Sequence, residues 1–327
     1  MIKTGLDSHS LYPLNLKPHQ VLQWAHDNGA AGVLFTEPYA SGNEELSISS
    51  CRDLGQMASD LGLYIEWGGG RHLPFNTKTW KPADLIPVNL KTAGEAAAAG
   101  ATIIRSSTSG MVRANPGNPN TAHLMKAAIG ELRRMLPMLR DNGVVLAIET
   151  NFEFTTFELL KIFEKCRVEP GDCLGICLNT VNLLTMLEDP VQATGRIAPW
   201  VVSTRISDGG LVFNNEGMTA FPSAIGSGII DLTAIVSILL KQEQTINLSV
   251  NSSGGSFLLP VHEPWYISQF NDLTISEYNN LMLLENRAEE LIESGQLVIT
   301  RNNEWEGVCE ARLRSDLKKL KELTSIC

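Results

Sequence analysis

The sequence predicts an α/β fold of the (β/α)8 barrel type. Three observations predict it. Eight short apolar runs each lead into a segment with the spacing of an amphipathic helix. The runs lack polar alternation, as suits parallel strands covered by helices. Several helical segments stop at a glycine just before the next run (Gly29, Gly62, Gly100, Gly143), the residue that best adopts a left-handed helix cap. Eight such units are the count of a closed barrel. A doubly wound sheet needs a glycine-rich phosphate turn after its first strand, and GLDSHS (5–10) is not one. GGG at 68–70 follows the third strand without the required spacing and reads as a flexible turn.

Taken in order, IKTGLDSH (2–9) precedes a helix over 17–29, and GVLFTEP (32–38) precedes one over 50–62. LYIEWGGG (63–70) leads through a long loop to a helix at 89–100, and TIIRSSTSG (102–110) through a Pro/Asn/Gly loop to one at 121–143. VVLAIETN (144–151) is followed by a helix at 154–166, and LGICLNT (174–180) by one at 181–198. VVSTRISD (201–208) leads through a loop to a helix at 230–242, and INLSVNSSGG (246–255) through a loop to one at 276–295. The domain reading is one barrel over 1–295 and a charged helical extension over 296–327, packed outside the barrel, against a partner or solvated.

Composition removes several functions. With 327 residues, 43% hydrophobic and 19% charged, the chain can bury a large single core. A net charge of −10 without any Lys/Arg run argues against nucleic acid, which needs clustered cations. No stretch approaches the roughly 20 apolar residues that span a bilayer, and MIKTGLDSHSLYPLNL has no apolar core of a secretory signal. The six cysteines form no C-x-x-C pair; they read as buried free thiols of a cytoplasmic protein.

In a parallel barrel the strand ends converge on one mouth, where chemistry resides. Those ends supply Asp7 and His9, Glu37, Glu66, Arg105, Glu149, Asn179, Arg205 with Asp208, and Asn251. A polar residue closing a buried run is costly unless paired or bound, so the mouth is expected to be polar and concave. Trp67 can stack on a ring face, Arg71 and His72 follow the three glycines, and His262, Glu263 and Trp265 lie in a loop that can cover the mouth.

GLDSHSLYPL, LGLYIEWGGGRHLPF, AIET…FTTFELL, GICLNTVNLLTMLEDP, VVSTRISDGG, IGSGIIDL and NLSVNSSGG resemble, in order and to about residue 270, the blocks of the xylose-isomerase-like barrels. These are sugar (phosphate) isomerases and epimerases related to family-2 AP endonucleases. The resemblance implies a Mn, Mg, Zn or Co ion held by Glu, Asp, His and Glu after strands five to eight. Here those places carry Glu149, Asn179, Arg205 and Asn251. Amides are weak ligands for such ions and a guanidinium repels them, so the expectation is no bound metal. The family also implies two carboxylates exchanging a substrate proton across the metal; Asn251 stands where one of them belongs.

Two readings remain. One is a carbohydrate-binding homologue without metal-dependent turnover, as a homo-oligomer or in complex with an active relative. The other is a metal-independent isomerase, epimerase or lyase on a sugar or keto-sugar. In it Glu149 is the base, Arg205 stabilises the enolate, and Glu66, His9 or His72 returns the proton. In either, His9, Glu66, Trp67, Arg71, His72, Arg105, Asn179 and Asn251 are the candidate substrate contacts. Phosphodiester cleavage needs a multi-metal cluster and a basic groove, and the sequence offers neither.

Overall fold

The structure is a computed structural model describing residues 2–36, 46–108 and 110–326. Glu37, singled out above, and Cys327, one of the six cysteines, lie outside the described residues. The first half alternates β1 (Thr4–Asp7), α1 (Pro18–Asp27), β2 (Gly32–Phe35), α2 (Ile48–Asp60), β3 (Tyr64–Gly70), α3 (Ile86–Ala98), β4 (Ile103–Ser106) and α4 (Thr121–Asp141). It continues with β5 (Val145–Glu149), α5 (Thr156–Cys166), β6 (Leu174–Asn179), α6 (Thr180–Thr185), α7 (Pro190–Ile197) and β7 (Val201–Arg205). Then come β8 (Asp208–Asn214), β9 (Gly217–Ser223), α8 (Leu232–Leu240), β10 (Leu248–Val250), β11 (Phe257–Leu259), α9 (Pro264–Ile267), α10 (Ile275–Glu293) and α11 (Trp305–Ile326).

Eight parallel strands pair in the order β10-β1-β2-β3-β4-β5-β6-β7. The ring closes through a bridge between Ile206 and Val250, where Ile206 N–H donates to Ser249 O at 2.7 Å and Asn251 N–H to Ile206 O at 2.8 Å. The four glycines expected to end helices have φ of +71° (Gly29), +70° (Gly62), +75° (Gly100) and +62° (Gly143). Each therefore sits in the left-handed conformation that L side chains avoid.

Three local readings change. First, Gly68–Gly70 belong to β3 and are not a turn. A Cβ on Gly68 would lie 1.9 Å from Thr36 O, so glycine is there for the close approach of two backbones. Second, 181–198 is not one helix. Leu187 takes φ 58°, Asp189 caps α7 by accepting from Gln192 N, and Pro190 starts the new helix; the residue before a proline disfavours helical backbone. Third, the loop expected after the seventh barrel strand is an antiparallel hairpin, β8–β9, with β11 added to its edge. LVFN and MTAF are apolar runs around Asn215-Glu216. Gly217, at φ +147°, sits where a Cβ would meet Leu259 O of β11 at 2.1 Å.

Alternate residues of each strand point into the barrel. Near its floor the Tyr64 ring lies against Gly5 and Gly32. Above it Leu34, Ala147 and Cys177 form a small apolar layer, distinct from the main core between strands and helices. The next layer is the charged mouth.

Two helices follow the barrel. α10 lies against β8, where Phe213 N–H donates to Glu285 at 3.2 Å, and is tied to α7 by Arg196–Glu277. The extension α11 packs against β1, β10 and α8. Its Leu313, Leu317 and Leu320 join the main core, and Trp24 Nε1–H of α1 donates to Glu310 at 2.7 Å. Packing outside the barrel is thus the arrangement found, and the solvated alternative does not hold.

Candidate functional site

A cavity of about 420 Å³ opens at the C-terminal ends of the strands. Its floor is a network of four charged side chains. Arg205, ending β7, donates from Nε to Asp7 Oδ2, from Nη1 to Glu149 Oε1 at 2.6 Å and from Nη2 to Asn251 Oδ1 at 3.0 Å. Arg105, from β4, donates from Nη1 to Glu149 Oε2 and from Nη2 to Thr36 O at 3.1 Å. Asn179 Nδ2–H adds a bond to Glu149 Oε1 at 2.8 Å. Asp7 Oδ1 accepts from Thr36 Oγ1 and from His9 N–H. All four charged residues are buried.

These contacts set the charge states. Burial pushes Asp7 and Glu149 up, but Arg205 first and Arg105 second overcome it and hold both carboxylates below their ordinary range. Burial disfavours charge on Arg205, yet Asp7 and Glu149 outweigh it and raise its pKa further. Two guanidiniums therefore face two carboxylates, both ionised at neutral pH. His9 reaches solvent but sits deep in the concavity, stacked on Tyr12 with ring centres 5.1 Å apart. Lost solvation, then Arg205, pull its pKa below 6.5, so the imidazole is neutral at pH 7.

Of the ten candidate residues, His9, Arg105, Glu149, Asn179, Arg205 and Asn251 line this cavity, and Glu66, Trp67, Arg71 and His72 do not. Glu66 lies one layer down, accepting from Ser203 Oγ and from Asn247 Nδ2 at 2.9 Å, residues that precede the mouth residues on their strands. Burial raises it to about 7. Trp67, its neighbour on β3, points the other way, is fully buried and meets Phe35 at 5.7 Å between ring centres. Arg71 and His72 line a neighbouring groove of about 300 Å³ that, among the described residues, shares only Ser107 and Thr108 with the mouth. His72 is buried, Nδ1 2.7 Å from Ser106 Oγ and Nε2 3.0 Å from Glu153 Oε1.

Asp208 also leaves the mouth. It accepts backbone N–H groups of Gly209, Gly226, Gly228 and Ile230 and so staples the loop after β9. His262, its Nε2 3.0 Å from Asn214 O, and Trp265 do not line the cavity. That segment is held instead by Arg113, which donates to Glu153 O at 3.0 Å and to Gln269 O at 3.1 Å.

The sequence showed Asp7 as a strand end but gave no sign that it is the second acid of the floor. The aromatic walls were also missed. Phe152 and Phe257 meet at 4.9 Å between ring centres, and Phe257 reaches the mouth because β11 joins the hairpin sheet. Its one signal was the run FLL after SSGG.

Among the described residues no group of three or more His, Cys, Asp or Glu is placed to hold a metal ion. The donor set does not fit one either. Both oxygens of Glu149 are taken by guanidinium or amide donors, and Arg205 brings its own positive charge.

A barrel with this strand order and this mouth defines the class, and the comparisons place the chain within it. The family profile described as xylose isomerase-like TIM barrel matches residues 22–265, and the chain belongs to that family. A curated relative, 3-oxo-isoapionate decarboxylase of Pectobacterium atrosepticum, is 28% identical over 123 residues, 37% of this chain and 43% of that protein. The chain thus matches less than half the length of that relative. Among solved structures, L-ribulose 3-epimerase superposes with a TM-score of 0.61 at 17% identity, covering 90% of this chain and 95% of its own. A probable 3-DHS dehydratase from Bacillus anthracis gives 0.57 at 15% identity, covering 76% and 92%. At such identities the likeness is one of fold. No helix among the described residues is long and apolar enough to cross a membrane.

Proposed function

We propose that this barrel binds a carbohydrate or keto-sugar in its mouth without metal-dependent turnover. The observation that carries the reading is the guanidinium of Arg205 between Asp7 and Glu149. By resemblance, that side chain replaces a metal ligand, and its charge stands in for the cation. The cavity keeps the features a sugar needs: amides and hydroxyls at the base and aromatic faces on the walls.

The rival reading makes Glu149 a base. Its surroundings count against that, because two guanidiniums and an amide hold a carboxylate whose proton affinity they lower. A barrel of this kind acts by occupancy, as a homo-oligomer or beside an active relative. Its buried free thiols suit the reducing cytoplasm.

The test uses purified full-length protein with free ketoses in D2O. We expect ligand-dependent thermal stabilisation, no deuterium incorporation, and no stoichiometric divalent ion by elemental analysis. Deuterium exchange that disappears in Glu149→Gln would establish the rival. One tightly held ion per chain, lost in the same variant, would overturn both readings.

A further inference from the structure

Resting on that reading, we propose that the mouth selects a neutral, unphosphorylated sugar of monosaccharide size and rejects sugar phosphates and sugar acids. The inference comes from the charge pairing in the floor. An arginine at a sugar site ordinarily suggests an anionic ligand group. Here both guanidiniums are already paired with the two acids of the floor. Arg205 spends Nε, Nη1 and Nη2 on Asp7, Glu149 and Asn251, and Arg105 spends both terminal nitrogens on Glu149 and Thr36 O.

Two positive and two negative groups close on one another, so the floor offers no net charge. The polar groups facing the cavity that lack a side-chain partner among the described residues are uncharged: the Asn15 amide, Nδ2 of Asn251, the hydroxyls of Ser107, Ser253 and Tyr12, and the imidazole of His9. Burial and Arg205 keep that imidazole neutral at pH 7.

An anion entering here must pull a guanidinium off a buried carboxylate or sit uncompensated above a floor with no net charge. Both are costly. A hydroxyl asks for neither, since it donates to or accepts from the amides and hydroxyls already present. The walls agree. Phe152 and Phe257 give apolar faces for sugar C–H groups, and about 420 Å³ lies at the small end of ligand pockets.

The experiment is isothermal titration of the full chain at pH 7 with D-fructose and L-ribulose against D-fructose 6-phosphate and D-gluconate. The neutral ketoses should bind at least tenfold more tightly than the charged compounds. Two variants move the charge in opposite directions. Glu149→Gln leaves two guanidiniums against Asp7 alone and should shift the neutral-to-anion ratio at least tenfold toward the anions. Asn251→Asp places a carboxylate beside Arg205 and should shift it the other way, and it serves if Glu149→Gln fails to fold. Tighter binding of the phosphate or the gluconate by the unaltered protein would overturn this inference and leave the carbohydrate reading standing. Absence of binding by every sugar would sink both. An unchanged ratio in the folded variants would show that the floor charges do not set selectivity.

Discussion

Arg205 carries the largest consequence of any single residue here. It is a permanent cation at a position where the family resemblance implies a neutral metal ligand, and it holds two buried acids in place. Replacing it with a similar-sized apolar residue, Arg205→Met, leaves Asp7 and Glu149 with Arg105 alone. Breaking a buried charge network from one side costs about 3–5 kcal/mol. Urea unfolding at pH 7 should show a loss of that size. A loss below about 1 kcal/mol, the worth of an exposed pair, would mean the network is not closed as described. The place of Arg205 at the mouth was legible in the sequence, because it closes a recognisable strand, as do Glu149, Asn179 and Asn251. Its partner was not. Asp7 lies 198 residues from Arg205, and only closure of the ring, with β10 paired to β1 and bridged to the end of β7, brings the two together.

At the level of elements, most helices and all eight barrel strands follow from apolar periodicity and glycine stops. The exceptions have physical causes. The β8–β9 hairpin hid in a segment whose two halves are strand-like only when paired, and β11 is three residues long and needs the hairpin's edge. The extension α11 has a charged surface that suggested solvation, yet it packs along the barrel through Leu313, Leu317 and Leu320. Trp305 begins that helix, is fully buried, and donates Nε1–H to Ser10 O at 3.2 Å, next to the residue that carries His9 into the mouth. Trp305→Ala should cost about 3–5 kcal/mol, read as a fall in melting temperature with the fold retained by circular dichroism. An unchanged melting temperature would mean that α11 is not part of the cooperative unit.

Across the whole molecule, buried acids of two kinds give stability a definite pH profile. Asp7 and Glu149 are held below their ordinary values, so they contribute stability above the unfolded pKa that is lost as acid protonates them. Burial works the other way on Glu66 and Glu188, each raised to about 7, and on Asp208, raised to about 6. Between their unfolded values and those pKa values the folded protein holds protons that the unfolded chain has released. Stability should therefore fall as pH rises from about 4.5 toward 7. Glu66 alone accounts for a change on the order of 3 kcal/mol. Glu66→Gln should flatten that part of the denaturation profile by this amount; a profile parallel to that of the unaltered protein would show that Glu66 does not titrate in the fold.

By itself the sequence determined the repeating strand–helix pattern and the residue types at the strand ends, because these depend on local periodicity and on chemical type. The tertiary structure decided which strand-end residues share one cavity. Inward and outward directions alternate with every residue, and depth varies along the strand. Glu66 and Trp67, adjacent in sequence, therefore end up in the barrel interior and in the outer core, while Asp7 and Arg205, far apart along the chain, form one ion pair.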